Sequence, residues 1–323
     1  MNILIAGGTG LIGRALSEAL VKDGHTVKIL TRRPEATRHL LHNMCVLVKW
    51  DGHTTLGLID QIEETDVVVN LAGESIAGEY RAGREFSQIH ALTSIVTKRW
   101  TNETRSVIKT SRVNAGRALV NAVQEADHKP SVFVQASALG YYGSHDSLEL
   151  SETSPSGTDF LADVCRAWEH STLEIAKLGL RRVVLRTGLV LAKTGGILPI
   201  MLLPFRLFAG GPIGTGQQFI SWIHIKDQVS AIQFLIDNEQ TSGSYNLCSP
   251  NPVTNAEFGR VAGNVLGRPN WMPAPTFALK LILGEKASLV LDSQRAVPDR
   301  LSDAGYRYQF ELLEPALRDL ILM

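Results

Sequence analysis

The strongest constraint on this chain lies at its start, where an apolar run is followed by three glycines spaced three residues apart. Residues 2–6 are Asn-Ile-Leu-Ile-Ala, and Gly7, Gly10 and Gly13 follow, with a helical pattern behind them. An apolar run of this kind is typical of a strand buried on both faces of a parallel sheet. The glycines would make a tight turn, admit a pyrophosphate close to the backbone and let helix and strand pack closely. The segment predicts a dinucleotide site at the N-terminus of the helix that begins at Leu11, the alternative being a turn without a ligand.

The end of the second predicted strand, at residues 25–31, bears on which dinucleotide is bound. Thr31, Arg32 and Arg33 stand there, and no carboxylate does. An acidic residue would accept a hydrogen bond from a ribose 2′-hydroxyl, whereas arginine suits a 2′-phosphate. One charge-assisted hydrogen bond contributes about 1.5–3 kcal/mol, which is roughly a tenfold to hundredfold preference. We therefore predict NADP(H) rather than NAD(H), the alternative being two solvated arginines in a turn.

Strand and helix patterns alternate over the first 190 residues. Further strands are predicted at residues 45–50, 66–70, 131–136 and 182–186, and long helices at residues 101–126 and 159–178. This alternation predicts an α/β fold with a Rossmann-type, doubly wound parallel sheet. Beyond it, proline and glycine become denser. We expect residues 1–190 to form an NADP(H)-binding domain, and residues 191–323 a smaller substrate region at the carboxyl edge of the sheet, partly interleaved with the core.

Composition excludes some classes of function. Lysine plus arginine equals aspartate plus glutamate, at 32 each in 323 residues, which argues against nucleic-acid or membrane binding driven by charge. A strand predicted from residue 2 leaves no room for a signal peptide, and no apolar run reaches about 18 residues. The scattered Cys45, Cys165 and Cys248 fit a reducing compartment better than disulfides or metal ligands. We expect a cytoplasmic protein with a small-molecule substrate and no metal.

Motifs in order along nearly the whole chain are similar to those of one family. Among them are residues 7–13, 70–74, 98–100, 111–112, 137–143, 203–206, 210–217, 221–225, 255–258 and 293–298. Together they resemble the short-chain dehydrogenase/reductase superfamily in its extended, nucleotide-sugar-epimerase-like branch. The similarity is greater still to the epimerase family proteins, whose C-terminal part is a domain of unknown function. This resemblance implies a Rossmann core that holds NADP(H), with a substrate region at its carboxyl edge.

The resemblance also implies which residues contact the cofactor. They are Gly7, Gly10, Leu11, Ile12, Arg32, Leu71, Ala72, Gly73 and Arg112. Residue type alone adds Gly13 in the turn, with Thr31 and Arg33 beside the 2′-phosphate. The two sets agree on a site that follows the first, second and fourth predicted strands.

Two departures from the family pattern bear on activity. The superfamily normally uses a tyrosine and a lysine four residues later as its acid/base pair, with a serine that holds the substrate oxygen. Ser137 matches the serine, but Phe160 and Val164 stand where the pair is expected. Residues 78–98 form an insertion, either a lid over the cofactor or a surface loop. We therefore expect either an NADP(H)-dependent oxidoreductase or epimerase-like enzyme that lost or relocated the pair, or a non-catalytic NADP(H)-binding sensor or regulator.

Several other side chains are candidates for chemistry, each with a structural alternative. Tyr142 follows a strand end, where its phenol could replace the missing tyrosine or its ring could simply pack. Glu74 and Glu169 are candidate acid/base groups, or surface and helix-capping carboxylates. His224 faces either the substrate cleft or the core. Asp51 either reaches an adenine edge or closes an Asp-Gly turn.

Overall fold

The computed structural model describes residues 1–41, 45–76 and 100–322. The insertion predicted at residues 78–98 lies outside the described residues. The strands are β1 (Asn2–Ala6), β2 (Thr26–Thr31), β3 (Val46–Lys49), β4 (Val67–Asn70), β5 (Val132–Ala138), β6 (Glu149–Leu150), β7 (Arg181–Thr187), β8 (Leu189–Leu191), β9 (Phe219–Ile220), β10 (Trp222–His224), β11 (Gly243–Leu247), β12 (Val253–Thr254) and β13 (Arg295–Ala296).

Seven of these strands form one parallel sheet in the order β11-β7-β5-β4-β1-β2-β3. The chain runs outward from β1 through β2 to β3 and then returns to β4 on the other side of β1. Loops that follow β1 and β4 therefore diverge and leave a crevice at the carboxyl ends of the strands, where open α/β sheets bind ligands. The predicted doubly wound parallel sheet is confirmed. Strand β11 was not predicted, and it adds part of the C-terminal region to the central sheet.

Helices cover both faces of this sheet. They are α1 (Leu11–Lys22), α2 (Pro34–Thr37), α3 (Ile59–Glu63), α4 (Asn102–Glu125), α5 (Phe160–His170), α6 (Glu174–Lys177), α7 (Leu198–Arg206), α8 (Ile225–Asp237), α9 (Asn255–Leu266), α10 (Thr276–Leu283), α11 (Ser288–Leu291), α12 (Asp299–Asp303) and α13 (Leu313–Leu322), with short 3₁₀ helices at Arg38–Leu40, Leu139–Tyr142 and Gly284–Ala287. None of the helices in the described ranges is long and apolar enough to cross a membrane.

The helix predicted at residues 159–178 is in fact two helices, α5 and α6. Ser171 and Thr172 lie between them, and the Ser171 hydroxyl donates to the Trp168 carbonyl oxygen at 2.7 Å. Serine and threonine compete in this way with the backbone hydrogen bonds that would continue a helix. The interruption therefore has a local cause that hydrophobic periodicity does not reveal.

The apolar run of β1 separates two cores because successive strand residues point to opposite faces of a sheet. Ile3 and Ile5 pack on one face with residues of α1 and α8, while Leu4 and Ala6 pack on the other with residues of α3 and α4. All four are at most 1% exposed, and burial of such an aliphatic side chain contributes about 1.5–3 kcal/mol. The continuous apolar pattern thus holds β1 in the middle of the sheet, with its carboxyl end at the crevice.

Candidate functional site

The turn after β1 needs glycine at two of its positions for steric reasons. Gly7 has a φ of +81°, and a Cβ there would lie 2.5 Å from the Leu71 carbonyl oxygen. A Cβ on Gly13 would lie 2.5 Å from the Gly7 carbonyl oxygen. The Gly10 amide closes the turn by donating to the Gly7 oxygen at 3.1 Å. The turn is therefore packed against the loop after β4 and against the first turn of α1, as the glycine spacing predicted.

The N-terminus of α1 is open to an anion. Gly10 is its N-cap and supplies no side-chain hydrogen bond, and the first amides of a helix have no partner within the helix. The amides of Leu11, Ile12 and Gly13 are therefore free to donate to phosphate oxygens, with the positive end of the helix dipole behind them. The described residues thus fit the pyrophosphate of a dinucleotide.

The arginines after β2 lie at the same edge of the sheet. Arg32 is exposed, and its Nη2 lies 3.7 Å from Oε2 of Glu74. The backbone amide of Arg33 donates to Oγ1 of Thr31 at 3.3 Å, which fixes the turn, and the Arg33 side chain is also exposed. An exposed pair as long as Arg32–Glu74 contributes at most about 1 kcal/mol. The guanidinium of Arg32 is therefore available to a 2′-phosphate, although Glu74 competes for it.

Residues 71–74, after β4, form the opposite wall of the crevice. The Leu71 amide donates to the Ala6 carbonyl oxygen at 2.8 Å and so extends the pairing of β4 with β1. The Ala72 amide donates to Oδ1 of Asn70 at 3.2 Å. A Cβ on Gly73 would lie 2.9 Å from Cζ of Arg112, so a larger residue there would displace the Arg112 side chain. The predicted cofactor residues of this loop are thus held at the carboxyl end of β4, beside the glycine turn.

Arg112, on α4, contacts this loop. Its side chain is 7% exposed, and Nη1 donates to the carbonyl oxygens of Glu74 and Ile108, each at 2.9 Å. Its Cζ lies 4.8 Å from the centre of the Trp168 ring. Burial lowers the pKa of Arg112 to about 10, a change that the charges of Cys165 and Glu74 oppose, so the group stays cationic at neutral pH. The structure gives Arg112 a positioning role toward residues 71–74, and its direct contact with a cofactor stays a prediction.

An apolar cluster occupies the helix positions at which the tyrosine and lysine were expected. Phe160 packs edge-on against Trp100, with ring centroids 5.4 Å apart, and Cζ of Arg105 lies 4.9 Å from the Phe160 ring centre. Val164 is 2% exposed and belongs to the same cluster, together with Ile108. Neither side chain can transfer a proton, so α5 does not supply the usual acid/base pair.

Ser137, at the carboxyl end of β5, is coupled to an ion pair. Its hydroxyl donates to Oε1 of Glu169 at 2.7 Å, and it is 4% exposed. Arg186 donates to both oxygens of the same carboxylate, from Nε at 2.9 Å and from Nη2 at 3.0 Å. The side chains of Arg186 and Glu169 are only 6% and 13% exposed. Burial alone would lower the pKa of Arg186, but the hydrogen bonds and charge of Glu169 outweigh it and raise that pKa.

Tyr142 belongs to this network as well. Its hydroxyl receives a hydrogen bond from Nη1 of Arg186 at 3.0 Å and donates to Oδ1 of Asn246 at 2.7 Å. The ring is fully buried, and burial raises the pKa of Tyr142 to about 12, although Arg186 opposes the change. The phenol is therefore protonated and engaged at neutral pH, and its assignment as an acid/base group stays a prediction.

Asp51 and His224 are the remaining candidates. Asp51 accepts hydrogen bonds from the amides of His53 and Thr54, each at 2.9 Å, which is the turn alternative. His224 is fully buried and stacks on Phe310, with ring centroids 4.0 Å apart. Arg186 was not predicted as a site residue. Its position at the end of the apolar run of β7 was nevertheless a signal that it would need a buried partner.

The fold and the glycine turn define a Rossmann-type nucleotide-binding protein. Residues 3–248 match the NAD dependent epimerase/dehydratase family, and residues 274–320 match a domain of unknown function, DUF1731. The chain therefore belongs to this epimerase/dehydratase family, as the motif order predicted.

Individual relatives agree with this assignment. The epimerase family protein YfhF of Bacillus subtilis is 38% identical over 324 residues, which cover 99% of this chain and 98% of that protein. The mouse epimerase family protein SDR39U1 is 34% identical over 99% of this chain and all of the relative. The crystal structure of human SDR39U1 (isoform 2) with NADPH has a TM-score of 0.81 at 30% identity and covers 99% of both chains. The dinucleotide in that structure is the one that the arginines after β2 predicted for this chain.

Proposed function

We propose that this chain binds NADP(H) across the carboxyl edge of its sheet and acts as an epimerase-like oxidoreductase on a small molecule. The observation that supports it most directly is the fit of the turn at residues 7–13. Two of its glycines stand where no Cβ has room, its helix amides are unpartnered, and Arg32 lies exposed at the neighbouring strand end. The NADPH in the related human structure supports the same choice of cofactor.

The chain's own residues divide the work of binding. The amides of Leu11, Ile12 and Gly13 would hold the pyrophosphate, and Arg32, supported by Thr31 and Arg33, would hold the 2′-phosphate. The backbone of residues 71–73, fixed by Arg112, would line the ribose nearer the nicotinamide. When bound, NADP(H) supplies a hydride donor or acceptor.

Proton transfer would have to use groups other than the usual tyrosine and lysine. At the carboxyl end of β5, the Ser137 hydroxyl donates a hydrogen bond to Glu169, and Arg186 holds that carboxylate in place with two further hydrogen bonds. We propose Ser137 as the residue nearest the chemistry, with Glu169 as its acceptor. Tyr142 would act through Arg186, by holding the guanidinium in place.

A second function is favoured by the cluster around Phe160. An enzyme that relocated its acid/base pair has no need of a close-packed apolar cluster at Phe160 and Val164. A protein that only senses NADP(H) needs no proton transfer, so an apolar cluster at these positions does not impair it. The second candidate is therefore a non-catalytic NADP(H)-binding regulator. The unpaired Cys45, Cys165 and Cys248 suit a reducing compartment for either function, and we propose the cytoplasm.

Cofactor choice is tested by titrating wild type with NADPH and NADH, beside Arg32→Ala and the remote, exposed control Arg307→Ala. We expect NADPH to bind at least about tenfold more tightly than NADH to wild type. Arg32→Ala should remove most of this difference, and Arg307→Ala should leave it unchanged. Equal affinity of wild type for the two cofactors would refute the role of the arginines.

Turnover separates the two functions. Nicotinamide absorbance and deuterium exchange at the nicotinamide C4 are followed with a panel of aldehydes, ketones and nucleotide sugars, for wild type and Ser137→Ala. Exchange that depends on Ser137 supports the enzyme. Tight NADPH binding without exchange from any member of the panel supports the regulator.

A further inference from the structure

A second cleft begins at Leu11, beside the turn at residues 7–13, and has a volume of about 490 Å³. This is within the range of roughly 300–1,000 Å³ typical of small-molecule sites. One wall is a face of α1, where Leu11, Arg14, Ala15 and Glu18 follow the spacing that brings residues to one side of a helix. The facing wall combines the first turn of α8 with α13, and residues 192–194 lie between the walls. We call it the α1–α8 cleft.

The charges in this cleft are not balanced. Lys226 donates to Oδ1 of Asp319 at 2.8 Å, so this pair is already matched. Arg14 and Lys193 also line the cleft, and neither forms an ion pair with any residue in the described ranges. Nε of Arg14 is inaccessible to solvent and has no hydrogen-bond partner. With the exposed Glu18 as the other carboxylate, the lining retains a net positive charge.

A buried imidazole belongs to the same lining. His224 is fully buried, and its Nδ1 accepts the amide N–H of Lys226 at 3.1 Å, which places the ring hydrogen of the neutral form on Nε2. Nε2 lies 3.2 Å from Oδ2 of Asp319, so His224 and Lys226 both face this carboxylate. The net positive charge of the lining therefore lies on Arg14 and Lys193.

Most of the remaining lining is aliphatic, with Ser17, Cys45 and Thr194 as the exceptions. The aliphatic residues are Leu11, Ala15, Leu40, Leu41, Ala192, Ile225 and Leu320. A ligand that uses the whole cleft therefore needs one negatively charged group and a small apolar body.

We propose that the α1–α8 cleft binds a small organic anion, whose carboxylate or phosphate pairs with Arg14 and Lys193 while its apolar body contacts the aliphatic lining. This site uses side chains on one face of α1, whereas the cofactor site uses backbone amides at the N-terminal end of the same helix, and Leu11 lies where the two sites meet. The inference therefore does not depend on the proposed function.

The proposal is tested by calorimetric titration of the full chain with hexanoate and hexyl phosphate, beside uncharged hexanol and inorganic phosphate. Saturating NADPH is included so that the phosphate site at the α1 N-terminus is occupied. Variants are Arg14→Gln and Lys193→Gln, with Arg307→Gln as a matched control, since Arg307 is exposed and does not line the cleft. We expect a hexyl anion to bind at least about tenfold more tightly than hexanol or inorganic phosphate. Each cleft variant should weaken it by roughly tenfold, and the control should not.

The proposal would be overturned by no saturable binding of either hexyl anion, by equal affinity for hexanol, or by affinities unchanged in both cleft variants. Lys193 is exposed, so its variant tests the charge without disturbing the fold. A wild type that fails to bind NADPH removes the proposed function alone, and the titration is then run without cofactor. Competitive displacement of the hexyl anion by NADPH would place the anion in the cofactor site and would also overturn the proposal.

Discussion

Phe160 packs edge-on against Trp100, with ring centroids 5.4 Å apart, at the helix position where the short-chain dehydrogenase/reductase pattern places its tyrosine. Val164, one turn later, is buried in the same cluster. Both expected acid/base positions thus contribute to packing. The cofactor half of the site still requires glycine at Gly7 and Gly13, because a Cβ at either position would lie 2.5 Å from a backbone atom. The glycine turn therefore meets the steric requirements of a dinucleotide site, while the two helix positions are apolar.

The glycine turn gives a matched pair of substitutions. Gly13→Ala puts a methyl group 2.5 Å from the Gly7 carbonyl oxygen, whereas Gly10→Ala brings its methyl group only to 3.4 Å from the same atom. We expect Gly13→Ala to lower the free energy of unfolding by about 1–3 kcal/mol, and Gly10→Ala to change it little. Gly10→Ala should instead weaken NADPH binding, because its methyl group fills the space that a pyrophosphate needs. Urea denaturation and NADPH titration of both variants provide the measurements, and equal stability of the two would contradict the steric argument.

The ion pair between Arg32 and Glu74 predicts a gain of affinity. Its two exposed groups lie 3.7 Å apart, and the Glu74 carboxylate would compete with a 2′-phosphate for the arginine. We expect Glu74→Gln to tighten NADPH binding by about twofold to fivefold at low salt, with less effect at high salt. NADH affinity should not change. Fluorescence titration measures both, and Glu35→Gln, which removes the similar exposed pair Glu35–Arg38, is the control. An equal gain in NADH affinity would show that the loss of a negative charge near the site, and not the release of Arg32 to the 2′-phosphate, causes the change.

The sequence predicted those parts of the fold that repeat a simple pattern. The apolar runs at β1 and β4 and the glycine spacing specify a strand, a turn and a helix locally, so this part of the sheet and its ligand edge could be inferred. Strand β11 was missed because its five residues, Gly-Ser-Tyr-Asn-Leu, include two with low strand propensity, glycine and asparagine. It is a strand because β7 offers it an edge to pair with.

The sequence proposed residue types for the candidate site but could not give their side-chain directions. The guanidinium of Arg112, a predicted cofactor contact, donates to the Glu74 and Ile108 carbonyl oxygens. The hydroxyl of Ser137, a predicted substrate contact, donates to Glu169. These directions depend on residues far apart in sequence, which no local pattern encodes.

His224 predicts a specific pH dependence of stability. Burial lowers the pKa of His224, although the charges of Asp319 and Asp227 oppose this and Lys226 adds to it. The unfolded chain, with an imidazole pKa near 6.5, therefore binds this proton more tightly than the native state does. The free energy of unfolding should fall as pH drops below about 6.5, until the pH passes below the native pKa.

The matched variant is His224→Asn, since asparagine can also accept the Lys226 amide at the N-terminus of α8. The variant loses the stack on Phe310 and should be less stable at every pH. Its loss of stability between about pH 7.5 and about pH 5.5 should nevertheless be smaller than that of wild type. Urea denaturation at both values makes the comparison, and parallel pH profiles for the two proteins would exclude His224 as the titrating group.

The buried pair of Arg186 and Glu169 predicts the largest loss of stability. Arg186→Met leaves the Glu169 carboxylate in a nearly closed site with only the Ser137 hydroxyl as a remaining hydrogen-bond donor among the side chains described. Removing one partner of a buried ion pair costs about 3–5 kcal/mol. The control is Arg260→Met, which breaks the exposed Arg260–Glu257 pair at 3.9 Å and should cost less than about 1 kcal/mol. The double variant Arg186→Met with Glu169→Leu removes the orphaned charge and should recover part of the loss. Urea denaturation of the four proteins tests this, and a similar cost for the two single variants would show that burial does not strengthen the pair.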